Sequence, residues 1–267
     1  MTDRYGLSTI STELHDDGVL VATLNRPEHR NSLNPEMHLE LKQLYERIVA
    51  DDELNAVVLT GAGKYFCVGA DFNDMKANEA YPDGHPGLLI ESVAMARNIL
   101  AVRVPMIAAI NGDAIGLAAT HALLCDITVM AEDARIGDTH VSRVGLVAGD
   151  GGALVWPLLV GYARAKQYLL GGELLPAANA QQMGLINFCV PAAELDALVA
   201  QWAQRFADSA RHALQWTKAT INIGLKDQAA KMLDAGLAYE MNSMRSADHL
   251  EAIRAFQDKR KPQFTGQ

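Results

Sequence analysis

Two glycine-containing turns constrain the fold most, because each follows a short apolar run of the kind that forms a buried strand. The turn Lys64–Asp71 comes after the run Ala56–Thr60, and the turn Asn111–Leu117 comes after the run Val104–Ile110. Both turns therefore leave the carboxyl ends of predicted strands, and the second leads into a predicted helix. Turns of this kind can direct two backbone N–H groups at one oxygen atom, and the helix amino terminus adds partial positive charge.

Strand-then-helix units repeat along the first part of the chain and predict an α/β fold with largely parallel strands. Predicted strands cover residues 18–24, 56–60, 106–110 and 126–130, and predicted helices cover 35–50, 88–100 and 117–124. After Pro191 only helices are predicted, at residues 192–207, 212–225, 227–242 and 247–258. We therefore expect a core, residues 1–191, that carries the active site, followed by a C-terminal helical module, residues 192–267.

Composition and charge argue against several classes of partner. The 267 residues carry a formal net charge of −9, which argues against nucleic acid or an anionic membrane as the main partner. Cys67, Cys125 and Cys189 lack metal-ligand spacing, so we expect small buried side chains and no metal site. No apolar run approaches the length of a membrane span, and the first residues lack the apolar core of a signal peptide. The expectation is a cytoplasmic protein.

Several segments, in their order along the chain, resemble the crotonase family, which is also called the enoyl-CoA hydratase/isomerase family. They are the two turns described above together with Asn25–Leu33, Cys125–Asp126, Gly145–Gly152 and Phe256–Phe264. The resemblance implies a spiral of ββα repeats and a C-terminal helical module that packs trimers, often paired into hexamers. It also implies an acyl-CoA substrate that carries its own coenzyme A, with no separate cofactor.

The resemblance also assigns binding residues by position. It places the oxyanion hole at the backbone N–H groups of Ala70 and Leu117, and the Gly69-Ala70-Asp71 turn resembles the branch of the family that binds coenzyme A. Asp71 is expected to fix its loop rather than to act as a base. The cations available for the coenzyme A phosphates are Arg26, Arg30, Lys259 and Lys261. Each cation could also be an ordinary surface charge.

The hydratases of the family use two glutamates, and this chain has neither. The motif pattern puts Thr120 at the first glutamate position and His140 at the second, so we expect crotonyl-CoA hydration to be absent or slow. His140 and Asp150 are the candidate proton-transfer pair, because a histidine oriented by a carboxylate can act as a general base near neutral pH. This pair and the segment Val155–Pro157 resemble 6-oxocamphor hydrolase, a β-diketone carbon–carbon hydrolase of the same superfamily.

The sequence leaves the direction of several side chains undetermined. One residue more than the usual pattern lies between His140 and the next glycine, which leaves the direction of the His140 ring open. His121 is the competing histidine, but successive helix residues point about 100° apart, so only one of Thr120 and His121 can face the site. We expect Thr120 to face it. Glu91 is expected on a solvated helix face, and residues 81–87 are expected to form a flexible loop over the site.

Three functions remain compatible with the sequence. The first is an acyl-CoA enzyme that forms an enolate in the oxyanion hole, through isomerisation, thioester hydrolysis or retro-Claisen cleavage. The second is a carbon–carbon hydrolase that acts on a cyclic β-diketone without coenzyme A. The third is a non-catalytic family member that binds acyl-CoA or assembles with a partner.

Overall fold

The computed structural model describes residues 3–72 and 86–267. Its strands are β1 (Ile10–Leu14), β2 (Val19–Leu24), β3 (Ala56–Gly61), β4 (Met106–Ile110), β5 (Ala114–Ile115), β6 (Ile127–Ala131), β7 (Arg135–Gly137), β8 (Leu175–Pro176) and β9 (Phe188–Val190). Its helices are α1 (Pro35–Ala50), α2 (Pro86–Ala101), α3 (Leu117–Leu124), α4 (Gly152–Gly171), α5 (Ala177–Gln182), α6 (Leu195–Ala207), α7 (Arg211–Met244) and α8 (Ala247–Gln257). Residues 81–85 of the predicted loop 81–87 lie outside the described residues. The last two residues of this predicted loop begin α2.

A mixed sheet forms the centre of the fold, with strand order β1-β2-β3-β4-β6-β9. β1 pairs antiparallel with β2, and each later pair in this sheet is parallel. The short strands β5, β7 and β8 form a second sheet beside it. The predicted α/β class is confirmed. Because β3 and β4 are parallel neighbours, the glycine-containing turns that follow them emerge at the same edge of the sheet.

β3 and β4 are apolar along most of their length because other elements cover both faces of the sheet. Val57 and Leu59 of β3 belong to the main core, whereas Val58 belongs to a second cluster on the opposite face. Leu195 and Val199 of α6 are buried in that second cluster. The first long helix of the C-terminal module therefore covers the sheet. The division at residue 191 and the packing of this module into trimers stay predictions.

Two helix predictions in the C-terminal module are wrong. Residues 212–225 and 227–242 belong to one continuous helix, α7. Lys226, at the predicted break, is a good helix former, and Gly224 lowers helix stability without ending the helix. None of the described helices is both long and apolar enough to span a membrane.

α4 is an element that the sequence reading did not predict. It contains Pro157, and its backbone leaves the helical region at Gly161, where φ is 77° and ψ is 160°. Proline and glycine weaken the periodic pattern by which helices are recognised. Two helical segments nevertheless form on either side of Gly161, and the first buries Leu154, Val155 and Trp156 against the core.

Candidate active site

The two turns predicted to carry the oxyanion hole lie side by side. Two backbone hydrogen bonds, of 3.1 and 3.0 Å, join Cys67 to residues 113–115. They pair Cys67 with Ala114 in parallel. Ala70 and Leu117 each lie three residues beyond these paired positions. The backbone pairing therefore holds the two turns in a common register at the edge of the sheet.

Glycine precedes each predicted donor in a conformation that other residues rarely adopt. The backbone angle φ is 86° at Gly69 and 62° at Gly116. Leu117 begins α3, so its N–H belongs to the unpaired donors at a helix amino terminus. Within the ranges 3–72 and 86–267, neither the Ala70 N–H nor the Leu117 N–H donates to a protein acceptor. Both remain able to bind an oxygen atom.

The carboxylate of Asp71 fixes the first turn, as predicted. It is buried, accepts a hydrogen bond from the Ser32 hydroxyl at 3.0 Å, and lies 3.2 Å from a guanidinium nitrogen of Arg26. Arg26 also donates to the Ser32 carbonyl, and only 12% of its side chain is exposed. These contacts commit Arg26 to the turn, which weakens its predicted role as a cation for the coenzyme A phosphates.

The other predicted cations are exposed. The guanidinium carbon of Arg30 lies 5.5 Å from the centroid of the Tyr65 ring. Lys64, which the sequence did not identify as a binding cation, has its Nζ atom 6.0 Å from the same centroid. Lys259 and Lys261 are exposed after the end of α8. Arg30 and Lys64 thus form a basic pair beside the first turn, and the binding roles of Arg30 and Lys259 stay predictions.

The additional residue after His140 is accommodated in a π-helix, His140–Val144. The Gly145 N–H donates to the His140 carbonyl, which closes a turn wider than that of an α-helix. Single π-helical turns are frequent at functional sites. The His140 ring lies against the second oxyanion turn, because a Cβ atom added at Gly116 would be 3.4 Å from its Cε1 atom. The insertion therefore leaves His140 directed at the site.

His140 lies between two carboxylates. Its Nδ1 atom is 2.8 Å from Oδ1 of Asp138, and its Nε2 atom is 3.6 Å from Oδ2 of Asp150. Oδ1 of Asp138 also accepts the backbone N–H of His140 at 2.9 Å. Asp138 thus fixes the orientation of the ring, and Asp150 faces its other edge. The structure brings together the two side chains that the sequence reading paired.

Asp138 itself was missed at the sequence level, although a signal existed. It precedes His140 by two residues in the segment Asp-Thr-His. Aspartate side chains often accept a hydrogen bond from the backbone N–H two residues later. That local contact places the carboxylate beside the imidazole of the same turn. Asp138 is 1% exposed, and its Oδ2 atom has no hydrogen-bond partner in the described part of the chain.

Glu240, in α7, is a third buried carboxyl group at the site. It is 1% exposed, and its Oε2 atom finds no hydrogen-bond partner among the residues that the structure describes. A Cβ atom added at Gly149 would lie 2.9 Å from Oε2. Glu240 is close enough to Asp150 and His140 for their charges to shift its pKa. No local pattern identifies it, because only tertiary packing brings α7 to this loop.

Burial and neighbouring charges together set the protonation states. Burial alone would lower the pKa of His140, but Asp138 and Asp150 outweigh burial and raise that pKa well above its ordinary value. Burial raises the pKa of Asp150, an effect that His140 only partly offsets. Burial, aided by the charge of Asp150, raises the pKa of Glu240 to about 8.

The two carboxylates therefore favour the imidazolium form of His140, and burial favours the protonated form of Glu240. An imidazolium has no lone pair left to accept a proton. Asp150 has a raised pKa and an Oδ1 atom without a hydrogen-bond partner among the described residues. The role of general base, which the sequence reading gave to His140, thus fits Asp150 better.

The group Asp138, His140 and Asp150 also has the composition of a metal site, since one ligand atom from each lies within 4.8 Å of the others. The two carboxylates, however, meet opposite edges of the ring. Asp138 contacts Nδ1, and Asp150 faces Nε2. This arrangement favours a charged, hydrogen-bonded cluster over a shared metal ion.

Thr120 and His121 point in different directions, as predicted. Thr120 packs against the loop that carries Asp150, because a Cβ atom added at Gly151 would lie 2.7 Å from Cγ2 of Thr120. The Nδ1 atom of His121 lies 3.2 Å from the Tyr45 hydroxyl, and burial lowers the pKa of His121 to about 3. His121 is therefore a neutral histidine of the core.

The prediction that Glu91 lies on a solvated helix face is wrong. Its Oε2 atom is 3.3 Å from Nδ1 of His38, and Nε2 of His38 is 3.0 Å from the Ser92 hydroxyl. His38 is buried, and 29% of the Glu91 side chain is exposed. These contacts form a polar group between α1 and α2.

Known proteins resemble this chain over nearly its whole length. A 1,2-epoxyphenylacetyl-CoA isomerase from Escherichia coli K12 is 36% identical over 253 residues, which cover 94% of this chain and 96% of that protein. The crystal structure of an enoyl-CoA hydratase/isomerase from Mycobacterium paratuberculosis has a TM-score of 0.88 at 33% identity, covering 94% of this chain and 99% of that one.

A third similar protein shares the fold. It is a β-diketone hydrolase from the cyanobacterium Anabaena, solved with (S)-3-oxocyclohexyl acetic acid bound. Its TM-score is 0.81 at 24% identity, and the match covers 89% of this chain and 94% of that one. The family model described as enoyl-CoA hydratase/isomerase matches residues 15–267. Members of that family are enzymes of the crotonase superfamily, and this chain belongs to the enoyl-CoA hydratase/isomerase family.

Proposed function

We propose that the protein catalyses an enolate-forming reaction on an acyl-CoA thioester, and that double-bond isomerisation is the reaction that fits the site best. One observation carries the proposal: the His140 ring lies against the turn that contains the donor Leu117, with Cε1 3.4 Å from the position of a Cβ atom at Gly116. An imidazolium therefore stands beside the predicted oxyanion hole.

The first step is loss of a proton from the carbon next to the thioester carbonyl. The electron pair of that C–H bond moves toward the carbonyl, and negative charge develops on its oxygen. The N–H groups of Ala70 and Leu117 would bind this oxygen, and the charge of His140 would stabilise it further. Donors and charges fixed before the reaction stabilise such a transition state without reorganising.

Asp150 accepts the proton. Its Oδ1 atom is without a hydrogen-bond partner among the described residues, and its raised pKa makes it a stronger base than an exposed aspartate. Asp150 then returns a proton, which exchanges with solvent while it is on the carboxyl group, to the carbon two bonds further along the acyl chain, and the double bond moves into conjugation with the thioester. No water is consumed, so the reaction needs no pair of glutamates.

Hydration is a poor fit to the same residues. The position of the first hydratase glutamate is occupied by Thr120, whose buried hydroxyl cannot act as a carboxylate base. A relative that is 36% identical is named an isomerase, which supports isomerisation, although other relatives of similar identity are named hydratases.

A carbon–carbon hydrolase that acts on a β-diketone without coenzyme A is the second candidate. The contacts of Arg26 favour this second candidate. Arg26 is a predicted phosphate-binding cation, but its guanidinium group already contacts Ser32 and Asp71. In that reaction, Asp150 would take a proton from water, and the water oxygen would attack one ketone carbon. The bond between that carbon and the central carbon of the diketone would break, and the departing enolate would occupy the oxyanion hole and take the proton back from Asp150.

A substrate series separates these functions. We expect wild-type protein to convert 3-hexenoyl-CoA into the 2-enoyl isomer, with solvent deuterium appearing in the product, and to hydrate crotonyl-CoA at least about a hundredfold more slowly. The N-acetylcysteamine thioester of 3-hexenoic acid is the matched control that lacks the nucleotide, and a cyclic 1,3-diketone tests the hydrolase. Efficient crotonyl-CoA hydration, or turnover of the diketone alone, would overturn the proposal.

A further inference from the structure

The segment Val144–Gly149 joins the two charged residues of the site, since His140 begins the π-helix before it and Asp150 follows it directly. This segment lies outside regular secondary structure over most of its length. Its position determines the 3.6 Å separation between Nε2 of His140 and Oδ2 of Asp150. The contacts that fix this segment therefore control the distance between His140 and Asp150.

His249, in the first turn of α8, holds one end of the segment. Its Nδ1 atom is 2.8 Å from the Val144 carbonyl, and the side chain is buried. A carbonyl oxygen only accepts hydrogen bonds, so Nδ1 carries the proton. Burial lowers the pKa of His249, which keeps this ring neutral. The contact is a buried hydrogen bond at the last residue of the π-helix.

Ser243, in the last turn of α7, holds the middle of the segment. Its hydroxyl accepts the Val147 N–H at 3.1 Å and donates to the Glu240 carbonyl at 2.8 Å. The second bond fixes the direction of the hydroxyl, so that its lone pairs face the segment. Ser243 therefore connects the backbone of the segment with the helix turn that carries Glu240.

Close backbone contacts complete the attachment. A Cβ atom added at Gly149 would lie 2.3 Å from the Gly236 carbonyl oxygen, and one added at Gly145 would lie 3.1 Å from the backbone of Asp248. The segment thus rests directly on the main chain of α7 and α8. Only glycine permits such an approach at these two positions.

We propose that Ser243 and His249 are positioning residues, which hold the Val144–Gly149 segment so that His140 stays between Asp138 and Asp150. The corner between α7 and α8 thereby becomes part of the active site's supporting structure, in addition to any role in assembly. The inference rests on the proposed function, because it assigns these residues to the His140–Asp150 pair. Neither side chain contacts the reacting atoms.

A shift of the segment should change the pKa of His140, because that pKa depends on the distance between His140 and Asp150. The charges that face His140 come from Asp138 in its own turn, Asp150 at the end of the segment and Glu240 on α7, with His249 facing it from α8. A shift of the segment moves Asp150 away from the ring while Asp138 stays in place. Loss of one opposite charge at short range lowers a histidine pKa by about one to three units.

NMR titration of the histidine ring protons tests the proposal without any substrate. The variants are Ser243→Ala and His249→Leu, which remove the contacts, and His249→Asn, whose side-chain amide can replace the Nδ1 donor. Ser209→Ala is the matched control, because the Ser209 hydroxyl also donates to the carbonyl of a residue four positions earlier, Arg205 of α6, but Ser209 itself lies after the end of that helix.

We expect the pKa of His140 to fall by at least about one unit in Ser243→Ala and His249→Leu, and to stay at the wild-type value in His249→Asn and Ser209→Ala. An unchanged His140 titration in folded Ser243→Ala and His249→Leu would overturn the proposal. A role in stability alone would lower the melting temperature without moving this titration.

The same experiment separates this inference from the proposed function. If wild-type His140 titrates near the ordinary histidine pKa, the imidazolium assigned to the proposed reaction is absent, and that function fails whatever the variants show. If wild-type His140 stays protonated and only the positioning variants lower its pKa, the positioning inference holds and the substrate series then decides the proposed function. With a turnover assay in hand, Ser243→Ala should lower kcat about tenfold and change KM little.

Discussion

The two halves of the site are built in different ways. The predicted oxyanion half consists of main-chain N–H groups at Ala70 and Leu117, set by glycines and by the pairing of Cys67 with Ala114. The proposed proton-transfer half consists of side chains, and its groups come from a π-helix, from the segment before α4 and from α7. The first half is determined by local turns, and the second depends on packing between distant parts of the chain.

This difference predicts which kind of substitution should inactivate each half of the site. A main-chain donor survives the replacement of its own side chain but not a change of backbone conformation. A side-chain acid or base is lost through a substitution that leaves the shape intact. The variants below separate these two kinds of dependence.

Replacement of the proposed base should have the largest effect. Asp150→Asn keeps the shape of the side chain but removes its capacity to accept a proton, so we expect kcat for 3-hexenoyl-CoA isomerisation to fall by about 10²–10⁴-fold. Steady-state kinetics measures it. Asp234→Asn is the control, since it removes an exposed carboxylate of α7 and should leave kcat unchanged. A fall of less than about tenfold in Asp150→Asn would remove Asp150 from the proton-transfer step.

A change of backbone conformation should have the next largest effect. Gly116→Ala places a Cβ atom where φ is 62°, which strains the backbone, so the Leu117 N–H must shift; the Cβ atom would also contact the His140 ring at 3.4 Å. Loss of one oxyanion donor costs about 10²–10³-fold in kcat, and we expect a decrease at the lower end. Circular dichroism must show a folded protein. Full activity in folded Gly116→Ala would contradict the assignment of the Leu117 donor.

Glu240→Gln tests the buried carboxyl through stability. The pKa of Glu240 is raised from its ordinary value of 4.5 to about 8, so the folded protein binds more protons than the unfolded chain between these values. The free energy of unfolding therefore decreases as pH rises through this window. Gln mimics the protonated carboxyl and removes this contribution to the slope.

We thus expect Glu240→Gln to be more stable than the wild type near pH 8 and to differ least near pH 5, measured by urea unfolding at fixed protein concentration. The charge of Glu240 also acts on His140, so the difference between the two pH profiles reports Glu240 together with its effect on His140. Parallel pH profiles for the two proteins would show that the Glu240 pKa is not raised.

Replacement of the Leu117 side chain should have the smallest effect on catalysis. Leu117→Ala keeps the main-chain N–H at the start of α3, so we expect kcat to change by less than about threefold. Its buried side chain should cost about 2–5 kcal/mol of stability when truncated. Kinetics at a temperature well below the melting transition separates the two effects. A hundredfold loss of kcat would mean that the side chain itself takes part.

The two turns that the sequence assigned to the oxyanion hole lie side by side because their determinants are close together in the chain, and their role as an oxyanion hole stays a prediction. Strand, glycine and helix start follow one another at Gly69 and again at Gly116, and their order is visible without tertiary information. The pairing of His140 with Asp150 was also predicted, although the sequence could not show that the additional residue would be accommodated in a π-helix.

The other features of the site could not be predicted from the sequence, because they depend on tertiary packing. Glu240 reaches the site only because Gly149 and Gly236 let α7 approach the loop, and neither glycine signals this locally. The protonation of His140 follows from Asp138, whose proximity depends on the turn before the π-helix. The sequence predicted a histidine base, whereas the charges of the folded site favour Asp150 as the proposed proton acceptor.

Calorimetric binding of acetoacetyl-CoA tests the central claim most directly, because its enolised carbonyl resembles the charge that the site is proposed to hold. Acetoacetate and the N-acetylcysteamine thioester of acetoacetate are the controls without nucleotide. We predict micromolar binding of the CoA ester by wild-type protein, corresponding to about −8 kcal/mol, and at least about tenfold weaker binding by Gly116→Ala. No binding of acetoacetyl-CoA, or equal binding by Gly116→Ala, would contradict an enolate held between the Ala70 and Leu117 N–H groups.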